Sequence, residues 1–510
     1  MSKTTRPTRH SAVLVAALVA VGSLGVAPPG AAGSASARYT TPARWAGYAI
    51  TSNGHADGGW IGGYLMGGRP VFVTTPTKEL RRSGYRPARA VDDLDGRHGP
   101  GRGETERAAW ILSKYGGYRD AAQAAAVDVS VYDLVVGGSW RTTGARGERR
   151  IGEAAQPATV RRFARIMLDQ SRRHAGPYRA RVTATGADVG GTVAATVRVT
   201  DGHGRAAAGL PVTLAVTGAT AIQAVTGDDG RAVARFTESQ AGWHSVTATV
   251  RNVPEHRVHL RLPRRPDQAE VAEGGVRRTL VARTQAAVRG PQTLSLQPSP
   301  STLVTGSAAR VTATVTGDGV PRTATGSLYG PFASTSAAQC AGPVVGSASV
   351  QVGVDGDYAL PALVPRDPGY YVWAVAVDGT PTALPVEGCG AVTTVKAVAT
   401  ISVTALQPEM SAGTAEVRVA LAGLPRLPAV TVTLKVQGPY ATQQALATAY
   451  CSGAAVASVD QKMNGDATVS LFPYVDQAGW YGLQASVPAG ELRQGSQSTC
   501  MALGTVLHVS

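Results

Sequence analysis

The pattern of hydrophobic and polar residues changes character near residue 178. Before this point, apolar residues recur three and four positions apart in three segments, 104–115, 120–135 and 157–173, and this spacing predicts amphipathic helices. Beyond it, Val and Thr alternate in runs of about five to eight residues separated by Gly/Asp turns, which predicts antiparallel strands. The sequence therefore predicts an α+β head followed by all-β modules.

The head is predicted to span 38–176. Short strand-like runs such as "GRPVFVTT" precede the three helices. Asp120 is placed to cap the second helix, because a short acidic side chain can accept a hydrogen bond from the first turn. Pro157 suits the first position of the third helix, where the missing N–H costs nothing.

The strand-rich region contains an internal repeat. A glycine, an aromatic residue and an alternating strand recur as "GWHSVTATV", "GYYVWAVAV" and "GWYGLQASV". Each copy follows an Asp-Gly or Asn-Gly dipeptide, which favours a tight hairpin turn. The repeat predicts three antiparallel β-sandwiches at 177–262, 297–398 and 399–510. The Pro- and charge-rich segment 263–296 is predicted to be a linker, with the alternative that "VRRTLVART" inside it is a closing strand of the preceding domain.

The three repeats resemble bacterial immunoglobulin-like domains, which form stalks in surface and adhesive proteins. The resemblance implies a sandwich fold and specifies no ligand. Trp243, Trp373 and Trp480 are predicted to occupy the core or a strand edge of each sandwich. The alternative is that exposed tryptophans stack against sugars, which would make the chain a carbohydrate-binding protein.

Four cysteines, all in the last third of the chain, form two pairs with the same spacing. Cys340 and Cys389 are 49 positions apart, as are Cys451 and Cys500. A secreted chain with an even number of regularly spaced cysteines favours disulfides. A metal site is the alternative, but the sequence contains no CxxC motif. The prediction is one disulfide in each of the last two sandwiches, with no metal or cofactor.

The N-terminus predicts export. A basic segment, an apolar run and small residues before Arg38 match a signal peptide over 1–37, with a membrane anchor as the alternative. No later stretch reaches the ~20 apolar residues of a spanning helix. The expected location is secreted and extracellular, either free or associated with the cell wall.

Basic residues are concentrated in the N-terminal half. The formal net charge is +15, and the head alone has 22 Lys and Arg against 13 Asp and Glu. Outside a cell, such a surplus favours an anionic wall polymer or surface glycan as partner, and no nucleic-acid-binding motif is present. The basic face of the third helix is the candidate contact, with a simple solvated surface as the alternative. Its residues are Arg161, Arg162, Arg165, Arg172 and Arg173.

The head also resembles the thioester domains of Gram-positive surface adhesins. The resemblance rests on "YAI" at 48–50, "ERAAWILSKYG" and "AAAVDVSVYDL". In that family, a strand Cys and a helix Gln form an internal thioester. Here Ala49 takes the Cys position and Asp128 the Gln position, with Gln123 as a second possible register. Because no cysteine precedes Cys340, a thioester in the head is excluded.

The same lack of a thiol excludes cysteine-dependent wall enzymes, and no G-x-S-x-G, H-E-x-x-H or phosphate-loop motif is present. The acidic segment 92–106 is a weaker candidate for calcium binding or acid/base chemistry, because such a loop is more often a turn before a helix. Its polar residues are Asp92, Asp93, Asp95, His98, Glu104 and Glu106. The prediction is a non-enzymatic, adhesin-like surface protein, and the alternative is a secreted enzyme acting on wall or environmental polymers.

Overall fold

The computed structural model describes residues 41–51, 59–94, 101–424 and 428–510. The predicted signal peptide lies outside these residues. The protein is multidomain: a head containing a sheet and a group of helices precedes three mostly antiparallel β-sandwiches.

Four strands and four helices come from the N-terminal part of the head, and all three predicted helices are confirmed. The strands are β1 (Ala43–Ala49), β2 (Trp60–Met66), β3 (Arg69–Val73) and β4 (Arg89–Val91). The helices are α1 (Arg102–Tyr115), α2 (Ala121–Val135), α3 (Ala145–Glu153) and α4 (Pro157–His174), and a 3₁₀ turn spans Gly138–Trp140. Asp120 caps α2 by accepting a hydrogen bond from the Gln123 N–H at 2.8 Å.

Helix α2 is buried along nearly its whole length. It packs against α1, α4 and the strands β1 and β2. Its Ala and Val side chains are small, so neighbouring elements approach closely on every side. The unusual run of alanines is therefore explained by packing.

The first sandwich contains ten strands, two of which join the head. They are β5 (Arg179–Ala184), β6 (Ala187–Asp188), β7 (Thr192–Thr200), β8 (Pro211–Val216), β9 (Ile222–Val225), β10 (Arg231–Thr237), β11 (Gly242–Pro254), β12 (Val258–Arg261), β13 (Val271–Glu273) and β14 (Arg277–Arg289). Its sheets have the orders β10-β7-β5 and β6-β14-β11-β8-β9.

The prediction that 263–296 is a linker is wrong. Strands β12 and β13 complete the head sheet, whose order is β1-β2-β3-β13-β12-β4. Charged residues of the segment contact the head instead: Asp267 lies 2.8 Å from Arg81, and Glu273 lies 3.8 Å from Arg69. The Ala269 N–H also donates to the Glu79 carbonyl. The rest of the segment holds β14 and the start of the next sandwich. The sheet of the head thus extends beyond the predicted unit 38–176.

The second sandwich pairs a sheet of order β15-β17-β20 with one of order β16-β22-β21-β18-β19. Its strands are β15 (Thr293–Ser299), β16 (Thr302–Val304), β17 (Arg310–Thr316), β18 (Arg322–Phe332), β19 (Val344–Val352), β20 (Gly356–Ala359), β21 (Gly369–Val377) and β22 (Val386–Val398), and a 3₁₀ turn spans Thr335–Ala337.

The third sandwich repeats this arrangement with sheets β23-β26-β29 and β24-β34-β31-β27-β28, a strand β33 beside β31, and the short pair β25-β30. Its elements are β23 (Thr400–Ala405), β24 (Glu409–Met410), β25 (Gly413–Thr414), β26 (Val417–Ala422), β27 (Val430–Tyr440), α5 (Gln443–Ala449), β28 (Ala455–Met463), β29 (Ala467–Leu471), β30 (Tyr474–Val475), β31 (Gly479–Val487), β32 (Arg493–Gln494), β33 (Ser496–Gln497) and β34 (Val506–Val509).

The predicted disulfide pairing is confirmed. Cys340 is bonded to Cys389 and Cys451 to Cys500, with Cα–Cα distances of 5.9 and 6.0 Å. The described residues contain no free cysteine. On the chain-entropy account, closing a loop of this length stabilises each sandwich by roughly 3–4 kcal/mol.

The three sandwiches contact their neighbours by one rule. In each, the segment after the Gly-aromatic strand reaches the preceding module, and we call 255–276, 378–385 and 488–495 the docking segments. The first contains β12 and β13 of the head sheet. The second exchanges backbone hydrogen bonds with Gly290 through Thr382 and Leu384.

The third docking segment acts on the second sandwich in the same way. Strand β32 pairs with the end of β22, and the Ala397 N–H donates to the Leu492 carbonyl at 3.0 Å. Lys396 adds a side-chain hydrogen bond to the Gly490 carbonyl. Every junction between modules is therefore held by backbone hydrogen bonds, which oppose free rotation of one module against the next.

Candidate functional site

The two positions singled out by the thioester resemblance lie in different surroundings. Ala49 is exposed at the end of β1, opposite Trp60 of β2. The Asp128 side chain is 2% exposed in the middle of α2. Its carboxylate accepts a hydrogen bond from the Gly62 N–H at 3.3 Å. The two positions therefore differ in exposure, and the resemblance itself stays a prediction.

Asp128 forms a buried ion pair with Arg150 of α3. Arg150 Nη2 lies 2.6 Å from Asp128 Oδ2, and both side chains are 2% exposed. The same nitrogen donates to the Trp60 carbonyl at 3.1 Å. The guanidinium carbon lies 4.5 Å from the Tyr132 ring centroid and 5.6 Å from that of Trp140, within cation–π distance. The pair thus joins α2, α3 and β2.

The two members of this pair shift each other's pKa values. Burial raises the pKa of Asp128 more than Arg150 and the Gly62 N–H lower it, and the resulting pKa is about 6. Burial lowers the pKa of Arg150, but the Asp128 carboxylate and Tyr132 outweigh it and raise the pKa above its usual value. The carboxylate is ionised at neutral pH, and its Oδ2 already accepts hydrogen bonds from Arg150 and Gly62. The arrangement holds three elements together.

Sequence reasoning missed Arg150. The residue belongs to "GERRIGE", which is typical of a polar surface helix because four of its seven residues are charged. One signal was available: an Asp in the middle of an otherwise apolar buried helix needs a cationic partner, since an unpaired buried charge is very costly. Only the tertiary structure shows which of the many arginines supplies it.

The basic face of α4 is exposed as expected. Buried residues such as Val160, Ala164 and Met167 define the packed face, and all five candidate arginines lie on the exposed remainder of the helix. Among the described residues only one of the five, Arg173, has an ion-pair partner, Asp169 at 2.8 Å. The face is therefore a region of largely uncompensated positive charge.

Arg107, a half-buried neighbour of α4, is affected by the same excess of positive charge. Arg107 of α1 donates to the Leu168 carbonyl and the Ser171 hydroxyl of α4. Burial lowers the pKa of Arg107, and the positive charge of Arg172 lowers it further. An anion bound against α4 would relieve this repulsion.

The acidic segment 92–106 is only partly described, because Asp95 and His98 lie outside the described residues. Asp92, Asp93 and Glu104 are exposed, and Glu106 pairs with Arg102 at 3.1 Å. Within the described ranges no group of three or more His, Cys, Asp or Glu side chains is arranged to hold a metal. The described part of the segment thus gives no support to a calcium site.

The three repeated tryptophans have different environments. Trp373 is fully buried in the core of the second sandwich, as predicted. Trp480 is half-buried and stacks on His508, with ring centroids 4.3 Å apart. Trp243 is 59% exposed at the start of β11. The tryptophans therefore do not form a common sugar-stacking surface.

Residues 179–261 match the family model of the bacterial Ig-like domain, group 1. No curated protein matches the chain. Among solved structures, the Escherichia coli adhesin FdeC is 17% identical over 66% of this chain and 99% of its own, with a TM-score of 0.27. The integrin-binding bacterial protein invasin is 15% identical over 64% of this chain and 60% of its own, with a TM-score of 0.24. A titin I-band fragment, I67–I69, is 11% identical over 66% and 98%, with a TM-score of 0.35.

No helix among the described residues combines the length and the apolar character that crossing a membrane requires.

Proposed function

We propose that this chain is an extracellular, non-enzymatic binding protein. Its basic head binds an anionic wall polymer or surface glycan, and its three immunoglobulin-like sandwiches form a stiff stalk. The observation that carries the proposal is the exposed arginine face of α4, of which only Arg173 has an ion-pair partner in the described part of the chain.

Charge distribution supports the binding role. Exposed like charges on one face create a positive potential that attracts polyanions and weakens as salt is added. The last two sandwiches, in contrast, contain 9 Lys and Arg against 12 Asp and Glu over 291–510. The positive potential is therefore confined to the N-terminal half, at one end of the row of modules.

The junctions support the structural role. Each docking segment fixes its module to the preceding one through backbone hydrogen bonds. Modules joined by short flexible linkers would rotate independently, whereas these cannot do so without breaking strand pairing or backbone hydrogen bonds. A stiff stalk holds a binding head at a fixed distance from its point of attachment.

Export and the lack of covalent chemistry complete the proposal. The signal-like segment 1–37 and the two disulfides suit an oxidising compartment. Whatever its ancestry, the head performs no thioester capture, because it has no cysteine. Binding in this proposal is therefore non-covalent and reversible.

The test is retention on polygalacturonate beads at about 10 mM and about 1 M salt, between which the Debye length falls from about 30 Å to about 3 Å. The protein is expected to bind at low salt and to be released at high salt. The triple variant Arg161→Gln, Arg165→Gln, Arg172→Gln is expected to bind much more weakly. These positions lie on one stripe of α4, because they are separated by four and seven residues.

A matched control removes the same charge from the third sandwich through Arg418→Gln, Lys435→Gln and Lys462→Gln, all at exposed positions. This variant is expected to bind like the parent protein. Equal loss in both triple variants, or binding that does not respond to salt, would contradict the role of α4.

A further inference from the structure

The small sheet of the first sandwich has a basic outer face. In β5, β7 and β10, buried and exposed residues alternate, so one set of positions faces the core and the other faces solvent. The solvent-facing set contains no acidic residue. It consists of threonines, one alanine, one valine and five arginines: Arg179, Arg181, Arg198, Arg231 and Arg235.

Strand register places three of these arginines side by side. Arg181 of β5 lies opposite Arg198 of β7, and Arg198 lies opposite Arg231 of β10. Neighbouring strands are about 4.8 Å apart, so the three guanidinium groups form a row across the sheet. All three side chains are exposed. Among the described residues, only Arg231 has an ion-pair partner, Asp229 at 3.9 Å.

This row opposes folding. Like charges directly opposite one another on adjacent strands are destabilising, and here the middle residue, Arg198, has such a neighbour on each side. In the adjacent row on the same face, the equivalent positions hold the uncharged residues Thr183, Thr196 and Val233. The sheet therefore forms with uncharged residues at such positions. The arginines are thus not required to build the sheet.

The other two sandwiches provide an internal comparison. The same small sheet is β15-β17-β20 in the second and β23-β26-β29 in the third. The outer face of its middle strand has a single arginine in each, Arg310 and Arg418, and the flanking strands have none. A general preference for arginine in this chain would enrich all three sheets equally. The five arginines are therefore a specific feature of the first sandwich.

We infer that the outer face of β5-β7-β10, the arginine row, is a second binding surface for a linear acidic glycan. A chain whose carboxylates recur along its length can place them over successive guanidinium groups and so neutralise the repulsion within the row. Arginine suits this contact because its planar fork donates two parallel hydrogen bonds to a carboxylate. The flanking threonines offer hydroxyl groups for the sugar.

This surface is distinct from the α4 face and rests on separate observations, although both would bind the same class of polymer. It assigns a binding role to the first stalk module. A polymer held at two surfaces gains avidity, since the second contact is made at a high effective concentration.

The test uses the full-length protein and Arg198→Thr. Removing the middle charge eliminates both cross-strand repulsions, so the variant is expected to unfold roughly 1–5 °C higher than the parent. Its affinity for polygalacturonate is expected to fall, and the slope of log K against log salt to decrease by roughly one. If Arg198 served only solubility, its replacement would raise stability and leave the affinity for polygalacturonate unchanged.

The matched control is Arg418→Thr, which removes one arginine from the equivalent face of the third sandwich and is expected to leave affinity unchanged. Parent-like affinity in Arg198→Thr would overturn this inference, as would tighter binding to duplex DNA than to polygalacturonate. The α4 triple variant separates the two proposals: if it loses no affinity while Arg198→Thr does, the α4 role fails and the arginine row stands.

Discussion

Arg150 of α3 and Asp128 of α2 form an ion pair of 2.6 Å that is shielded from water on both sides. Asp128 is the residue to which the predicted thioester resemblance assigns the glutamine position. This charged pair links the helices α2 and α3 to the strand β2, so we assign it a structural role.

Removing one member of this pair should destabilise the head strongly. Asp128→Ala leaves the Arg150 guanidinium buried without a counter-ion, and we expect a loss of about 3–5 kcal/mol in the free energy of unfolding. The double variant Asp128→Leu, Arg150→Met leaves no unpaired charge and should lose less. Chemical denaturation followed by tryptophan fluorescence measures both. A double variant less stable than Asp128→Ala would contradict this account.

The head should not fold without the first docking segment. A chain of residues 38–176 lacks β12 and β13, which lie between β3 and β4 in the head sheet. We expect it to give a poorly dispersed NMR spectrum, whereas residues 38–290 should give a dispersed one. A well-folded 38–176 fragment would show that the sheet closes without the segment.

Acid should loosen the junction between the first and second sandwiches. Burial raises the pKa of Asp318, but hydrogen-bond donors outweigh it and lower the pKa to about 2. They are the hydroxyls of Thr380 and Thr382, the Val320 N–H and the Arg322 guanidinium. A carboxylate with a folded pKa below its unfolded value of about 3.9 stabilises the fold fully above that value. We expect this contribution to disappear as pH falls from about 4 to about 2.

The variant Asp318→Asn tests this at neutral pH. Thr382 also accepts the hydrogen bond from the Gly290 N–H, so a disordered 380–382 segment should free the junction. Small-angle scattering is expected to show a wider distribution of shapes for this variant. Asp460→Asn, at an exposed carboxylate of the third sandwich, is the control and should scatter like the parent.

Reduction should affect only the last two sandwiches. Loss of either disulfide is expected to cost its module roughly 3–4 kcal/mol on the chain-entropy account. The head and first sandwich contain no cysteine and should unfold at the same temperature with and without dithiothreitol. Calorimetry resolves the separate transitions, and Cys340→Ala with Cys389→Ala assigns one of them to the second sandwich.

The sequence by itself determined the local structure and the covalent links. Periodicity located the helices at 157–173 and 120–135 within about one residue of their observed bounds. This is because the buried face of a helix appears in the sequence as apolar residues three and four positions apart. Repeated spacing identified the disulfide pairs, and period-2 alternation identified the strands. These signals are local, or depend on a repeat that the sequence displays directly.

Only the tertiary structure decided the contacts between distant segments. The segment 263–296 resembled a linker because its prolines and charges are typical of exposed chain. In the structure, its Asp267 pairs with Arg81 of the head, and its short strand β13 joins a sheet begun near residue 43. The alignment of Arg181, Arg198 and Arg231 likewise could not be predicted from the sequence, in which each is an ordinary exposed arginine. Strand pairing aligns the three in one row, since a strand's partner is chosen by the packing of the whole sandwich.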